Sequence, residues 1–290
     1  MHIGQTKYRI MRNVGIICDI NYERHHLFRS YFNAVKNIYG KVSIVKEVSD
    51  LENIDILFIG DDHYGPHKKI WMNVSFINYC NEHDIQVVVM TNERILNSYF
   101  PWNKEIFLHL TQFDNLIHYV NDVDDAKKLG LRINRTAMSR SISFKKWDGS
   151  KKDRAIFVGN IKCKSYSERV GVLDVVRKIL PIDVITDIPT WDAYMQLISQ
   201  YRFVFSPIGN GNFFPMRFYE ALAVNSIPLH QVRSDTLDYY TTEKEFDDCV
   251  FFETVDELKS KLVGFTKEKS HNVIWMEDHL IQYLKEDQLL

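Results

Sequence analysis

The chain has 290 residues, 45% of them apolar and 26% charged, with a formal net charge of −2. That length suits two domains of ordinary size, the apolar share is enough for real cores, and the near-neutral balance excludes a molecule that is a polycation as a whole. Four cysteines (Cys18, Cys80, Cys163, Cys249) show no CxxC spacing. Neither a disulfide framework nor a protein-built metal site is therefore expected, and a reducing, cytoplasmic setting is. The opening MHIGQTKYRIMRN has no apolar signal-peptide region, and no run approaches the ~18 apolar residues of a membrane span.

The pattern alternates between strand and helix. VGIICD (14–19) reads as a strand ending in a polar turn, with an amphipathic helix after it over 24–39. KVSIVKEV (41–48) and IDILFIG (54–60) read as strands, and 66–83 has helical apolar spacing. IQVVVM (85–90) is a continuous β-branched run, the mark of a buried parallel strand. A strand over 115–120 precedes a helix over 122–129. SRSISFKKWDGSKKD (139–153) loses the pattern and reads as a linker.

The alternation then restarts with RAIFVGN (154–160), a helix over 165–180, IDVITD as a strand, and a helix opened by Thr190. A strand over 202–206 and another over 226–229 flank a Pro/Gly/Asn turn and a helix. VFFETVDELKSKL follows as strand and helix, and 270–290 reads as a long terminal helix. The expected architecture is α/β, with two parallel-sheet domains at 1–138 and 154–269 facing a central cleft. The terminal helix is expected to pack back on the first domain.

YRFVFSPIGNGNFFPMRFYEALAVNSIPL (201–229) is the most informative stretch. Gly209 and Gly211, with Asn210 and Asn212 beside them, allow a ligand close to the backbone. Arg217 and Glu220 lie three residues apart, on one face of the following helix. A cation for phosphate and a carboxylate for ribose hydroxyls, beside a Gly-rich turn at a helix N-terminus, suit a nucleotide diphosphate. Ser206 closes the preceding strand, and Phe213 and Phe214 either stack on a base or sugar or lie in the core, with core expected for at least one of them. One strand–helix unit earlier, Gly159 and Asn160 form a turn, with Lys162, Lys164 and Arg169 just beyond as phosphate contacts.

In the first half, candidate bases sit at strand ends: Glu93, Asp61 and Asp19. Carboxylates there also cap helices. Residues 127–169 carry 13 Lys/Arg against 3 Asp/Glu, net +10. That block reads either as a solvated linker or as a polyanion-facing surface.

SPIGNG followed by RFYEALAVNSIPL resembles the donor motif of GT-B glycosyltransferases, especially exostosin-like ones. Many retaining members have two glutamates seven residues apart here. Glu220 stands at the second position and Asn212 at the first, so the resemblance implies an inverting enzyme. NFFPMRFYEALA and IFVGNIKCKSYSER are also similar to the DNA β-glucosyltransferases of T-even phages. That likeness implies a UDP-sugar donor, Arg217 at its phosphate, Glu220 at its ribose, and a base near Glu93 in VVVMTNERIL. It further implies a hydroxymethylated pyrimidine in duplex DNA as acceptor, met by the basic segment. The exostosin likeness implies a glycan hydroxyl instead, and a non-catalytic nucleotide-sugar-binding subunit is the reading from another class. No obligate cofactor is implied, and a divalent metal is expected at most to stimulate.

Overall fold

A computed structural model describes residues 12–21, 26–60, 68–92, 94–96, 102–161, 167–187, 190–208, 214–233, 236–237 and 246–290. The first sheet is built from β1 (Val14–Ile17), β2 (Val42–Ile44), β3 (Ile56–Gly60), β4 (Gln86–Thr91), β5 (Leu116–Val120) and β6 (Arg132–Ile133). Its spatial order is β2-β1-β3-β4-β5-β6, and every pairing is parallel. The second sheet contains β7 (Lys152–Val158), β8 (Ile182–Ile185), β9 (Tyr201–Ser206), β10 (Ile227–Gln231) and β11 (Val250–Phe252). It is ordered β11-β10-β9-β7-β8, again wholly parallel.

The expected α/β class with two Rossmann-like parallel sheets is what forms. The central strands are apolar without alternation because helices cover both faces. Each of the five residues of β3 is buried. On one face lie α3 (Val74–Glu82), α4 (Trp102–Leu110) and Trp71 from the short α2 (Lys68–Trp71). On the other lie α1 (Leu27–Tyr39) and α5 (Val123–Leu129). In the second domain α6 (Ser167–Val176) and α9 (Val255–Leu262) share a core with Phe157, Phe203 and Phe205. The opposite face is covered by α7 (Trp191–Ile198) and α8 (Met216–Ala223). Capping is local: Asn73, Asp122, Thr190 and Thr254 each accept a backbone N–H of the first turn of α3, α5, α7 and α9.

Several elements differ from the sequence reading. The helix expected over 66–83 is split into α2 and α3, because the Asn73 side chain caps a new helix by accepting Ser75 N–H. The terminal helix α10 spans only Met276–Glu286. Before it, Met138 bridges Trp275, and Met276 N–H donates to the Met138 carbonyl at 2.9 Å. The chain thus crosses between the sheets twice, and the two crossings are paired. α10 then lies against α1 of the first domain, with Leu280 and Leu284 in one apolar cluster with Tyr31 and Ile38. No helix among the described residues is long and apolar enough to cross a membrane.

Candidate functional site

Both sheets change direction beside their first strand, between β1 and β3 and between β7 and β9. In such sheets ligands bind at the C-terminal strand ends at that switch point. In the second domain Gly159 follows β7 and Ser206 ends β9. The register pair Ile156–Val204 carries Val158 and Ser206 to neighbouring strand ends.

Arg217 reaches this place from α8. Its Nη2 donates to the Val158 carbonyl at 2.5 Å, and its guanidinium lies 4.9 Å from the centroid of the Phe157 ring. Gly159 has φ +153°, and a Cβ there would stand 2.7 Å from Arg217 Nη2. Only a glycine therefore lets this arginine lie across the strand end. The Ser206 hydroxyl is buried without a hydrogen-bond partner among the described residues. His230 Nδ1 donates to the Ser206 carbonyl at 2.7 Å. Burial, with Arg217 nearby, pushes the His230 imidazole down to about 3, so it is neutral at ordinary pH.

Glu220, one turn beyond Arg217, is 5% exposed. It accepts from Trp191 Nε1 at 3.2 Å and from the Tyr194 hydroxyl at 2.7 Å. Burial raises its carboxyl above the usual range, while Tyr194, Trp191 and Arg217 pull the other way. His26, from the first domain, holds its Nε2 3.5 Å from Glu220 Oε1. The site therefore presents a cation, a carboxylate and a buried hydroxyl, which are the groups that grip a phosphorylated sugar.

Gly159, Ser206, Arg217 and Glu220 are gathered at one end of the second sheet. Asn160 is exposed there, and Arg169 Nη1 donates to its carbonyl at 3.5 Å. Lys162, Lys164, Gly209, Asn210, Gly211, Asn212 and Phe213 lie outside the described residues, as do Glu93 and Asp61. Asp19 follows β1 by two residues and is half-buried, with its carboxylate accepting Asn21 N–H at 3.1 Å. Phe214 is core, packed against Phe218, Phe246, Phe251 and His230.

Sequence reasoning missed His26, Trp191, Tyr194 and His230. Trp191 and Tyr194 carry a faint signal, since both stand on one helix face with polar tips. His230 and His26 carry none, because each is given meaning only by the chain that packs on it.

Several cations of the basic block are paired within the protein. Arg132 pairs with Glu286 at 2.9 Å and Asp287 at 2.6 Å, and Arg140 pairs with Asp278. Arg135 is buried beside His279, with Nη1 2.7 Å from Nε2. Arg154 meets Asp183 at 3.1 Å. Lys151 Nζ donates to the carbonyls of Ser199, Tyr201 and Val224 and to Ser226 Oγ. These cations are engaged within the protein, while Arg132, Arg140 and Arg154 remain 42%, 54% and 41% exposed. Among the described residues, no group of three or more His, Cys, Asp or Glu side chains could hold a metal ion.

No family model and no curated protein sequence matches the chain. Among solved structures it is similar to an α1,3-fucosyltransferase with GDP-fucose, at TM-score 0.45 and 14% identity, over 94% of this chain and 89% of that one. It is also similar to a protein described as a UDP-N-acetylglucosamine 2-epimerase from Listeria monocytogenes, at TM-score 0.36 and 11% identity, over 76% and 70% of the two chains. A third is NAD+-bound 3-phosphoglycerate dehydrogenase from Entamoeba histolytica, at TM-score 0.24 and 10% identity, over 91% and 100%.

Proposed function

We propose that the protein is a GT-B glycosyltransferase that takes its sugar from a nucleoside diphosphate sugar, a UDP-sugar on the motif resemblance. The observation that carries this reading is the Arg217–Glu220 pair. Arg217 lies across the end of β7 at the switch point of the second sheet, with Glu220 fixed one turn behind it. In the reaction the acceptor hydroxyl oxygen attacks the anomeric carbon, and the bond from that carbon to the diphosphate oxygen breaks. A first-domain carboxylate takes the hydroxyl proton, with Glu93 first in order, then Asp61 and Asp19. The charge that develops on the leaving diphosphate is met by Arg217, and the Gly209–Gly211 turn with Lys162, Lys164 and Arg169 is assigned to the phosphates. Glu220 takes the ribose hydroxyls, and the Asn212 position favours inversion.

For the acceptor, a glycan hydroxyl is the better-supported reading. Arg132, Arg135, Arg140, Lys151 and Arg154, which would have met a DNA backbone, are engaged within the protein. A hydroxymethylated pyrimidine in duplex DNA is the second reading, carried by the motif resemblance and by the exposed Lys127, Lys128 and Lys145. The test is release of nucleoside diphosphate from a panel of UDP- and GDP-sugars with simple glycans, hydroxymethylated duplex and plain duplex as acceptors. Release stimulated by glycans supports the first reading, and release that needs the modified duplex supports the second. No release and no nucleotide binding would overturn both.

A further inference from the structure

Glu220 has a neighbour that this reading does not use. His26 opens α1 in the first domain and is fully buried. Its Nδ1 shares a 2.9 Å hydrogen bond with Ser30 Oγ, and its ring centroid lies 5.7 Å from that of Trp191. Nε2 stands 3.5 Å from Glu220 Oε1, across the boundary between the domains. Both carboxylate oxygens thereby have close neighbours. Trp191 Nε1 lies on Oε1, the Tyr194 hydroxyl on Oε2, and the imidazole edge against Oε1.

An ionised carboxylate offers about four acceptor directions, two on each oxygen. A ribose diol that grips it bidentately takes one direction on each. Oε2 keeps one beside Tyr194. At Oε1, Trp191 takes one direction and the His26 ring stands before the other. A hydroxyl oxygen would need to lie about 2.7 Å from Oε1. The imidazole, 3.5 Å from that oxygen, competes with such a hydroxyl for the remaining direction.

We propose that His26 is a positioning residue of the nucleotide site, and that its contact with Glu220 and the bidentate grip of Glu220 on ribose exclude one another. The inference rests on the assignment of Glu220 as the ribose ligand. His26 holds the carboxylate when the site is empty and withdraws when nucleotide enters. The withdrawal is tied to the crossings between domains. Ser30 Oγ accepts Ser139 N–H at 3.1 Å, and Ser139 Oγ donates to Glu277 Oε1 at 2.6 Å. Asn37 Nδ2 donates to that same oxygen at 2.8 Å. The first turn of α1 is thus connected to both strands of the hinge, at Met138 and at Trp275–Met276.

The experiment is calorimetric titration of the full chain with UDP and GDP, and with the 2′-deoxy form of whichever binds. Wild type, H26N and H26Q are compared. Asparagine keeps an atom near Nδ1 for Ser30 but removes the ring edge that faces Glu220, whereas glutamine reaches the Nε2 position. H26N is expected to bind the ribonucleotide about tenfold tighter, the size of one hydrogen bond to a charged group. Its affinity for the 2′-deoxy nucleotide should change much less, and H26Q should bind like wild type. Unchanged or weaker ribonucleotide binding by H26N, with wild type still binding, overturns the role of His26 and leaves the nucleotide site standing. A wild type that binds neither UDP nor GDP overturns the nucleotide site itself and the inference with it. Amide exchange in wild type reads the same event without a variant. Exchange over residues 26–30 should quicken on saturation with nucleotide, and no change there overturns the proposal.

Discussion

The two sheets turn about their first strand in the same way, yet they use their strand ends differently. At the end of the second sheet, Arg217, Ser206, His230 and Glu220 come from three elements and converge. At the end of the first sheet, the polar side chains of Asp125, Asn134 and His118 bind the protein itself, while Glu93 and Asp61 lie outside the described residues. Both Asp125 carboxylate oxygens accept backbone N–H groups, from Ile95 and Leu96. Asn134 Nδ2 donates to Asn92 Oδ1 at 3.1 Å and to the Tyr31 hydroxyl at 2.6 Å. His118 Nε2 pairs with the Thr91 hydroxyl at 2.6 Å. The lesson is that a shared topology supplies a crevice, while the side chains at its rim decide which part binds a ligand and which part braces the fold.

The largest effect should come from Arg217→Ala. Loss of a charge-assisted contact to a buried anion removes about 3 kcal/mol, or roughly a hundredfold in nucleotide affinity and transfer. The fold should persist, with a stability loss of about 1–3 kcal/mol from the Val158 contact, and a variant that transfers normally would erase the contrast between the two sheets. In the first domain, Glu93→Gln should lower transfer by about a hundredfold with nucleotide binding intact, because a positioned base contributes on that scale. Asp19→Asn should change little, since an asparagine carbonyl can still accept Asn21 N–H. An inverted ranking, measured by steady-state transfer, would move the base to β1.

Tyr194→Phe should destabilise the protein by about 1–3 kcal/mol, because it strips a hydrogen bond from a buried carboxylate. It should also raise the Glu220 carboxyl further, since the Tyr194 hydrogen bond now lowers it. Nucleotide binding by the variant should then fall off at a higher pH than in wild type, which a titration series can read.

Acid stability probes both domains together. His118 and His230 are held down to about 4 and about 3 by burial, against an ordinary value of 6.5. Above pH 6.5 both are neutral folded and unfolded. As pH falls below 6.5, only the unfolded chain takes up the protons, so stability drops. At pH 5 each costs about 2 kcal/mol by linkage. Chemical denaturation at pH 7 and 5 should show this loss, and His230→Gln should recover part of it if its own packing cost is small. The smallest effect is reserved for Arg132→Ala. Its pairs with Glu286 and Asp287 are partly exposed, so it should cost no more than about 1 kcal/mol. Any dependence of function on DNA and salt should survive it.

Much of the fold was legible before any coordinates. The β-branched run over 85–90 became β4, and RAIFVGN became β7 running into the Gly159 turn. The terminal stretch was read as helix six residues too early. Pairing of Met138 with Trp275 takes precedence over the local helical pattern there, and that partner lies 137 positions away. Of the site, the Arg217–Glu220 spacing was legible because both residues sit on one helix. The seat of Glu220 was not. Trp191 and Tyr194 precede it by a whole strand–helix unit, and His26 comes from the other domain.

By itself the sequence determined the elements, their alternation and therefore the parallel two-sheet class, because hydrophobic period and turn chemistry are local properties of the chain. It also placed a cation and a carboxylate on one turn of α8. Only the tertiary structure decided that Gly159 must yield its Cβ space to Arg217, that several cations of the basic block are paired within the protein, and that an imidazole stands against Glu220. Each of those is a contact between distant segments, created by burial, and burial is not written in any one stretch of residues.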